Sequence, residues 1–330
     1  MSVRLAHFTD PHVTERPERI PLKTLLSKRM IGWLNLRFCG RFSALAQAAH
    51  ITRAAANDLQ TLPPNHVVCT GDYTGLSLPS EFRHAQEALS PLRAHPSVTS
   101  IPGNHDVYVR SATKELLYES AFGEYSQTDL EVEDFPPAAR TAYPYPLIRS
   151  LGEQTVLIVL RDARPTWLHD SSGKVPKAQL VALRELLGRP DLRQHTKILA
   201  LHYGLRRADG SRDTYFHRLR NDNEVLRCAE EAGVALVIHG HIHKRFVLTQ
   251  GVVSPVAMAN PGALTYDRGA QCYHIYTIDD SGIHLEARRY DPASDQFVAW
   301  PEAPGSGLIW VREKSGTKTG RAREERDANE

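Results

Sequence analysis

Residues 234–243 read Val-Ala-Leu-Val-Ile-His-Gly-His-Ile-His. The apolar run from Val234 to Ile238 has the length of a buried strand and is short for a helix. It stops at Gly240, His241, Ile242 and His243, and two imidazoles exposed at a strand end need a task. The same arrangement occurs four more times. Leu5 to Phe8 leads into Asp10-Pro11-His12, and His66 to Cys69 into Gly71-Asp72. Val98 to Ile101 leads into Gly103-Asn104-His105-Asp106, and Ile198 to Leu201 into His202. Ligands of open α/β sheets bind beyond the carboxyl ends of the strands. Five such ends can therefore aim their polar residues at one place.

Helical patterns separate these runs. Phe42 to Leu59 places Leu45, Ala48, Ala49, Thr52 and Ala56 on one face. Ser80 to Leu92 reads as a helix with Ser80 as its N-cap, and Pro176 to Leu187 as one with proline at its start. A fourth, Asn223 to Glu231, ends at Gly233. Thr155 to Leu160 adds a strand. After Lys244 the pattern turns to strands: Phe246 to Leu248, Val253 to Met258, Cys272 to Ile278 and Ile283 to Arg289. The turn Asp279-Asp280-Ser281-Gly282 joins the last two as a hairpin. The expectation is one α/β domain over residues 1–311 with a β-rich second half, a helical insert over residues 15–40, and a charged, disordered tail over residues 312–330.

Composition narrows the function classes. The chain has 330 residues, 41% hydrophobic and 24% charged, which is ordinary for a soluble globular protein. A net charge of +2 gives no strong nucleic-acid signal. Cys39, Cys69, Cys228 and Cys272 are scattered, with no CxxC pair, as expected of thiols in a reducing compartment. No signal peptide and no membrane span is read, so a cytoplasmic location is expected.

Taken singly, each strand-end cluster has a bland reading as a capped turn or a satisfied histidine. All five together are hard to explain by turns. Imidazole and carboxylate are the usual ligands of first-row transition metals. Two ions a few Å apart need a bridging carboxylate and several ligands each.

The series Asp10-x-His12, Gly71-Asp72, Gly103-Asn104-His105-Asp106, His202 and Gly240-His241-x-His243 resembles the calcineurin-like metallophosphoesterases, nearest to their cyclic-nucleotide-phosphodiesterase-like branch. The resemblance runs from Val3 to Leu264, and Asn260-Pro261-Gly262-Ala263 resembles the turn that follows the last metal motif. It implies an α/β sandwich of two mixed β-sheets flanked by helices, with a dinuclear metal site at strand C-terminal ends. Asp10, His12, Asp72 and His243 would bind one ion. Asp72, Asn104, His202 and His241 would bind the other, with Asp72 bridging. The cofactor would be two divalent ions, whether Mn, Fe, Zn or Ni. His105 and Asn104 would contact substrate. His105 would protonate the leaving oxygen after in-line attack of hydroxide, and Asp106 would orient His105 or its loop. Two motifs depart from the branch: His202-Tyr203-Gly204 stands where it often has His-His-Pro, and Tyr73-Thr74-Gly75 where an acid often follows Gly-Asp.

Leu22 to Phe38 lies between the first two motifs. Leu22, Leu25, Leu26, Met30, Trp33 and Leu36 share one helical face, with Arg29 and Arg37 inside the apolar sector. One reading is a helix packed on the domain body, arginine stems covering apolar surface. The other is a flap beside the metals that meets an apolar substrate tail, a membrane surface or a second subunit. The expected partner is a small phosphoester, most simply a phosphodiester such as a cyclic nucleotide or a glycerophosphodiester. The alternatives are a pyrophosphatase acting on a nucleotide-linked lipid precursor, a DNA nuclease, and a non-catalytic scaffold. A scaffold should have lost ligands or His105, and here none is missing.

Overall fold

The computed structural model describes residues 2–129, 145–266 and 269–312. In chain order the strands are β1 (Val3–Phe8), β2 (His66–Cys69), β3 (Val98–Ser100), β4 (Leu147–Gly152), β5 (Thr155–Val159), β6 (Thr196–Ala200), β7 (Leu236–Ile238), β8 (Phe246–Leu248), β9 (Ala257–Asn260), β10 (Cys272–Ile278), β11 (Gly282–Asp291), β12 (Gln296–Ala299) and β13 (Gly307–Val311). They form two mixed sheets. One runs β12-β11-β10-β1-β2-β3, with β13 also on β11; the other runs β4-β5-β6-β7-β9-β8. Strands β1, β2 and β3 are mutually parallel, as are β5, β6, β7 and β9.

Period-two alternation explains the layering. Leu5, Val68, Leu157, Ile198 and Leu236 point into a core between the sheets. Their neighbours Ala6 and Val67 face the helices Ala48–Thr61 and Pro79–Ala88. On the other sheet, Ile158, Leu199 and Val237 face the helices Lys177–Leu187 and Asp222–Glu231. Strands covered on both faces read as continuous apolar runs. Each fully buried Leu or Ile contributes about 1.5–3 kcal/mol. The fold is the expected α/β sandwich of two mixed sheets flanked by helices.

Several elements differ from the sequence expectation. The Phe42 to Leu59 helix is two, Arg41–Ala44 and Ala48–Thr61. The next helix begins at Pro79, one residue before the expected cap: Glu81 reaches back to the backbone N–H of Leu78 at 3.0 Å. It ends at Ala88, and Pro91 lies in a separate 3-10 turn, Ser90–Ala94, since proline has no N–H to continue the ladder. The Val253 to Met258 strand begins only at Ala257, after Pro255. Helix Asp222–Glu231 closes as expected, with Gly233 at φ 63° and the N–H of Val234 bonded to Ala229 O at 2.9 Å.

Leu22 to Phe38 is not one helical face. It is a 3-10 turn, Leu22–Leu25, then a break, then the helix Arg29–Phe38. Leu25 and Leu36 are buried with Ile20, Leu76 and Tyr108, and Trp33 packs against them, whereas Leu22, Leu26, Met30 and Phe38 are exposed. Arg29 is anchored at its tip, where the guanidinium donates to Leu76 O and Ser77 O at 2.8 and 2.7 Å. The expected disordered tail lies, from residue 313 onward, outside the described residues.

Candidate metal centre

The carboxyl ends of β1, β2 and β3 in one sheet and of β6 and β7 in the other meet at one edge of the sandwich. The loops that leave them are laced by backbone bonds. Asp10 N donates to Gly71 O, His12 N to Asp72 O and Gly240 N to His202 O, each at 2.9 Å. Gly103 and Gly240 are required by crowding: a Cβ at either would collide with the Asp72 or the Asp10 carboxylate.

This lacing brings together every residue assigned to metal from the sequence. Ligand atoms of Asp10, His12, Asp72 and His243 lie within 4.8 Å of one another, as do those of Asp72, His202 and His241. Asp72 belongs to both groups. Asn104 Oδ1 joins the second, 3.1 Å from His202 Nε2 and 2.8 Å from His241 Nδ1. Five of the seven candidate ligands hold left-handed backbone: φ is 53° at Asp10, 44° at His12, 58° at Asp72, 68° at His241 and 56° at His243. Each such non-glycine residue costs about 1–3 kcal/mol and clusters where function over-determines the backbone.

The donor chemistry fits cations. Asp72 Oδ2 is buried with no hydrogen-bond partner, 3.4 Å from His202 Nε2 and 3.9 Å from His12 Nε2. His241 Nε2–H donates to His217 O at 2.8 Å, which turns the Nδ1 lone pair toward Asn104 Oδ1, another acceptor. Burial opposes a charge on His202, yet Asp72 beside it raises its pKa to about 10. Burial would raise the Asp10 and Asp72 carboxyls, but His243 beside Asp10 and His202 beside Asp72 hold both below the ordinary range. The cluster thus demands positive charge at two adjacent points, and a shared carboxylate with imidazole and amide donors suits two divalent ions.

His105 and Asp106 fall beside this cluster. His105 Nδ1–H donates to Gly75 O at 2.6 Å, leaving Nε2 for the cleft, and the ring stacks on Tyr108 at 5.3 Å. Burial lowers the His105 pKa to about 4. The Asp106 carboxylate does not reach the His105 ring. It accepts from the N–H groups of Gly103, Tyr73 and Thr74 at 2.9, 3.2 and 3.0 Å, so it ties the His105 loop to the Asp72 loop.

Other residues were not read from the sequence. Asp162 follows β5 and accepts from the N–H groups of His202 and Tyr203 at 3.2 and 2.9 Å, positioning the His202 turn. A carboxylate at a strand end is the same signal that marked the other clusters. His217, held by Asp213 at 2.6 Å, packs its ring 4.0 Å from that of His241, and no sequence pattern announced it. A cleft of about 410 Å³ opens over the cluster and is bordered by Lys28, Ile31 and Asn35 of the insert and by Arg41. The insert therefore both packs on the body and walls the cleft.

The model of the calcineurin-like phosphoesterase family matches residues 3–245. A comparison with curated protein sequences finds no match. Among solved structures, a dimetal phosphatase from Danio rerio is similar at 14% identity and a TM-score of 0.61, over 94% of this chain and 99% of that one. A purple acid phosphatase from yellow lupin (Lupinus luteus) is similar at 12% identity and a TM-score of 0.56, over 91% of this chain and 53% of that one. GAP50, the anchor in the inner membrane complex of Plasmodium, is similar at 10% identity and a TM-score of 0.51, over 95% of this chain and 90% of that one. With a paired Asp/His cluster at the strand ends and a family match that spans most of its length, the chain belongs to the calcineurin-like phosphoesterases.

Proposed function

We propose that this metal-dependent phosphoester hydrolase acts on a small phosphodiester, such as a cyclic nucleotide or a glycerophosphodiester. The family works with two divalent metal ions, and the observation that carries the reading is Asp72, shared by both ligand groups with a buried oxygen between them. Asp10, His12, Asp72 and His243 would hold the first ion; Asp72, Asn104, His202 and His241 would hold the second. When bound, the ions neutralise phosphoryl charge and lower the pKa of water toward neutrality. The chain's own residues do the rest. Lys28 and Arg41 border the cleft and attract an anionic substrate. Asn104 and His105 meet the phosphoryl group. His105 Nε2 carries a proton to the leaving oxygen of an in-line displacement, because Nδ1–H is committed to Gly75 O. Asp106 holds the two loops that keep Asp72 and His105 in register.

Residues 1–311 are read as one domain in this proposal. A cytoplasmic setting is part of it, supported by Cys39, Cys69, Cys228 and Cys272 standing as free thiols. No helix among the described residues is long and apolar enough to cross a membrane. A second reading, pyrophosphate cleavage in a nucleotide-linked lipid precursor, is favoured by the exposed Leu22 and Leu26 of the insert, whose Lys28 borders the cleft. A screen of metal-supplemented protein across mono-, di- and pyrophosphoesters separates them. Preferential turnover of a diester supports the proposal; turnover of pyrophosphoesters alone, or of nothing, overturns it.

A further inference from the structure

Segments that border the metal cleft also carry large apolar side chains exposed to solvent. On the insert, Leu22 and Leu26 are 78% and 90% exposed. On the loop that follows β5, Trp167 is 79% exposed. The two are stitched together: Lys28 Nζ donates to Thr166 Oγ1 and Asp170 O, both at 2.8 Å. Lys28 and Leu168 border both the metal cleft and an adjoining cavity of about 440 Å³ that Ser27 and Trp167 also line. A third segment joins at Ser171, whose N–H donates to Phe216 O at 2.8 Å, and Tyr215 and Phe216 are exposed as well. Three segments tied to one another beside the cleft thus hold large apolar side chains in water. Scattered exposed apolar residues are ordinary; a rim of them about a site marks an interaction surface.

Charge selects the occupant. Between Glu18 and Asp58 the chain has seven lysines and arginines and no acidic residue, although the whole chain is only +2. Of these, Lys23 and Arg37 are exposed beside Leu22 and Phe38. Apolar side chains interleaved with solvated cations match an anionic bilayer: the cations meet headgroups and the apolar groups enter the acyl boundary. A second copy of the chain would bring a like-charged rim against this one.

We propose that this rim docks the protein on an anionic lipid surface, with the metal cleft facing the headgroups, so that its phosphoester substrate is drawn from the membrane plane. The docking stands on the rim itself; the substrate source rests on the hydrolase reading. The anchors are Leu26 and Trp167. Trp33, the insert's own indole, is part of the packing, since its Nε1 donates to Pro17 O at 3.0 Å.

Full-length protein is mixed with vesicles of phosphatidylcholine alone, or of equal parts phosphatidylcholine and phosphatidylglycerol, and sedimented. The expected result is binding to the anionic vesicles only, weakened by salt, with a blue shift of tryptophan emission. Leu26→Ser combined with Trp167→Ser should weaken that binding by roughly tenfold or more while turnover of a soluble aryl diester is unchanged. Wild-type protein that stays in the supernatant, or equal binding by the double variant, overturns the docking. So does a wild-type dimer in sedimentation equilibrium that the double variant converts to a monomer, which assigns the rim to self-association. Vesicle binding without turnover of any phosphoester overturns the hydrolase reading instead, so the two failures are distinguishable.

Discussion

His12 Nε2 lies 2.8 Å from His243 Nε2, and His243 Nε2 lies 3.1 Å from Asp10 Oδ1. His12 Nδ1–H is already committed to Thr74 O at 3.2 Å, so the Nε2 of His12 is an acceptor. Without an ion, one proton on His243 serves both His12 and Asp10. With an ion, a neutral His243 keeps that proton on Nδ1, whereas His202, which Asp72 holds protonated against burial with a pKa raised to about 10, must give one up. Metal binding to the apoprotein should therefore release protons and weaken as pH falls. Calorimetric titration in buffers of different ionisation enthalpy measures this. A binding enthalpy independent of buffer would contradict a protonated His202 in the apoprotein.

Asp72 makes a distinct prediction. Its Oδ1 accepts from His105 N at 2.7 Å, and its Oδ2 is the buried oxygen between the groups. Asp72→Asn keeps the shape but removes the charge that serves both ions. Elemental analysis should show close to two ions in the reconstituted wild type and the loss of more than one in the variant. Loss of a single ion would confine Asp72 to one group.

Lys28 gives a pH dependence. Burial lowers its pKa from the ordinary 10.5 to about 8. Between those two values the native state holds fewer protons than the unfolded chain, so this group's contribution to stability rises with pH across that window. Its effect on substrate has the opposite sign. The cation that borders the cleft is present below about 8 and lost above it, so KM for an anionic phosphoester should climb on the alkaline side. Lys28→Gln should raise KM at pH 7 and flatten that climb. An alkaline KM limb unchanged in the variant would assign it to another group.

The strand-end clusters were legible because parallel strands put their carboxyl ends on one edge, and an apolar run that stops at Asp, Asn or His is visible in one dimension. What the sequence hides is set by hydrogen bonds across distance. The insert breaks at Leu26–Lys28 because Thr24 and Ser27 turn their hydroxyls onto the backbone carbonyls of Pro21 and Thr24 at 2.7 and 3.1 Å, competing with helix continuation. Strands β4, β12 and β13 lie at sheet margins. There a residue such as Ser150 faces water, and the apolar period is diluted. The left-handed backbone at Asp10, His12, Asp72, His241 and His243 has no glycine to announce it. His217 reaches the cluster through a loop whose course only the fold determines.

His105 separates chemistry from metal binding. It follows Asn104, a proposed ligand, and precedes Asp106, which ties loops, yet its own Nδ1 is used on Gly75 O and its Nε2 joins neither ligand group. His105→Ala should leave metal content nearly unchanged while kcat falls by roughly 10²–10⁴-fold. The loss should follow the leaving group. An alkoxide needs the proton to depart, whereas a nitrophenolate departs without it, so an alkyl diester should suffer far more than an aryl one. The burial that holds the free ring near 4 sharpens the test, since a neutral ring with Nδ1–H on Gly75 O presents a bare Nε2 that could neither donate to phosphate nor protonate a leaving oxygen. Equal penalties on both leaving groups would make His105 a phosphate contact only. Loss of a metal ion would make it a ligand.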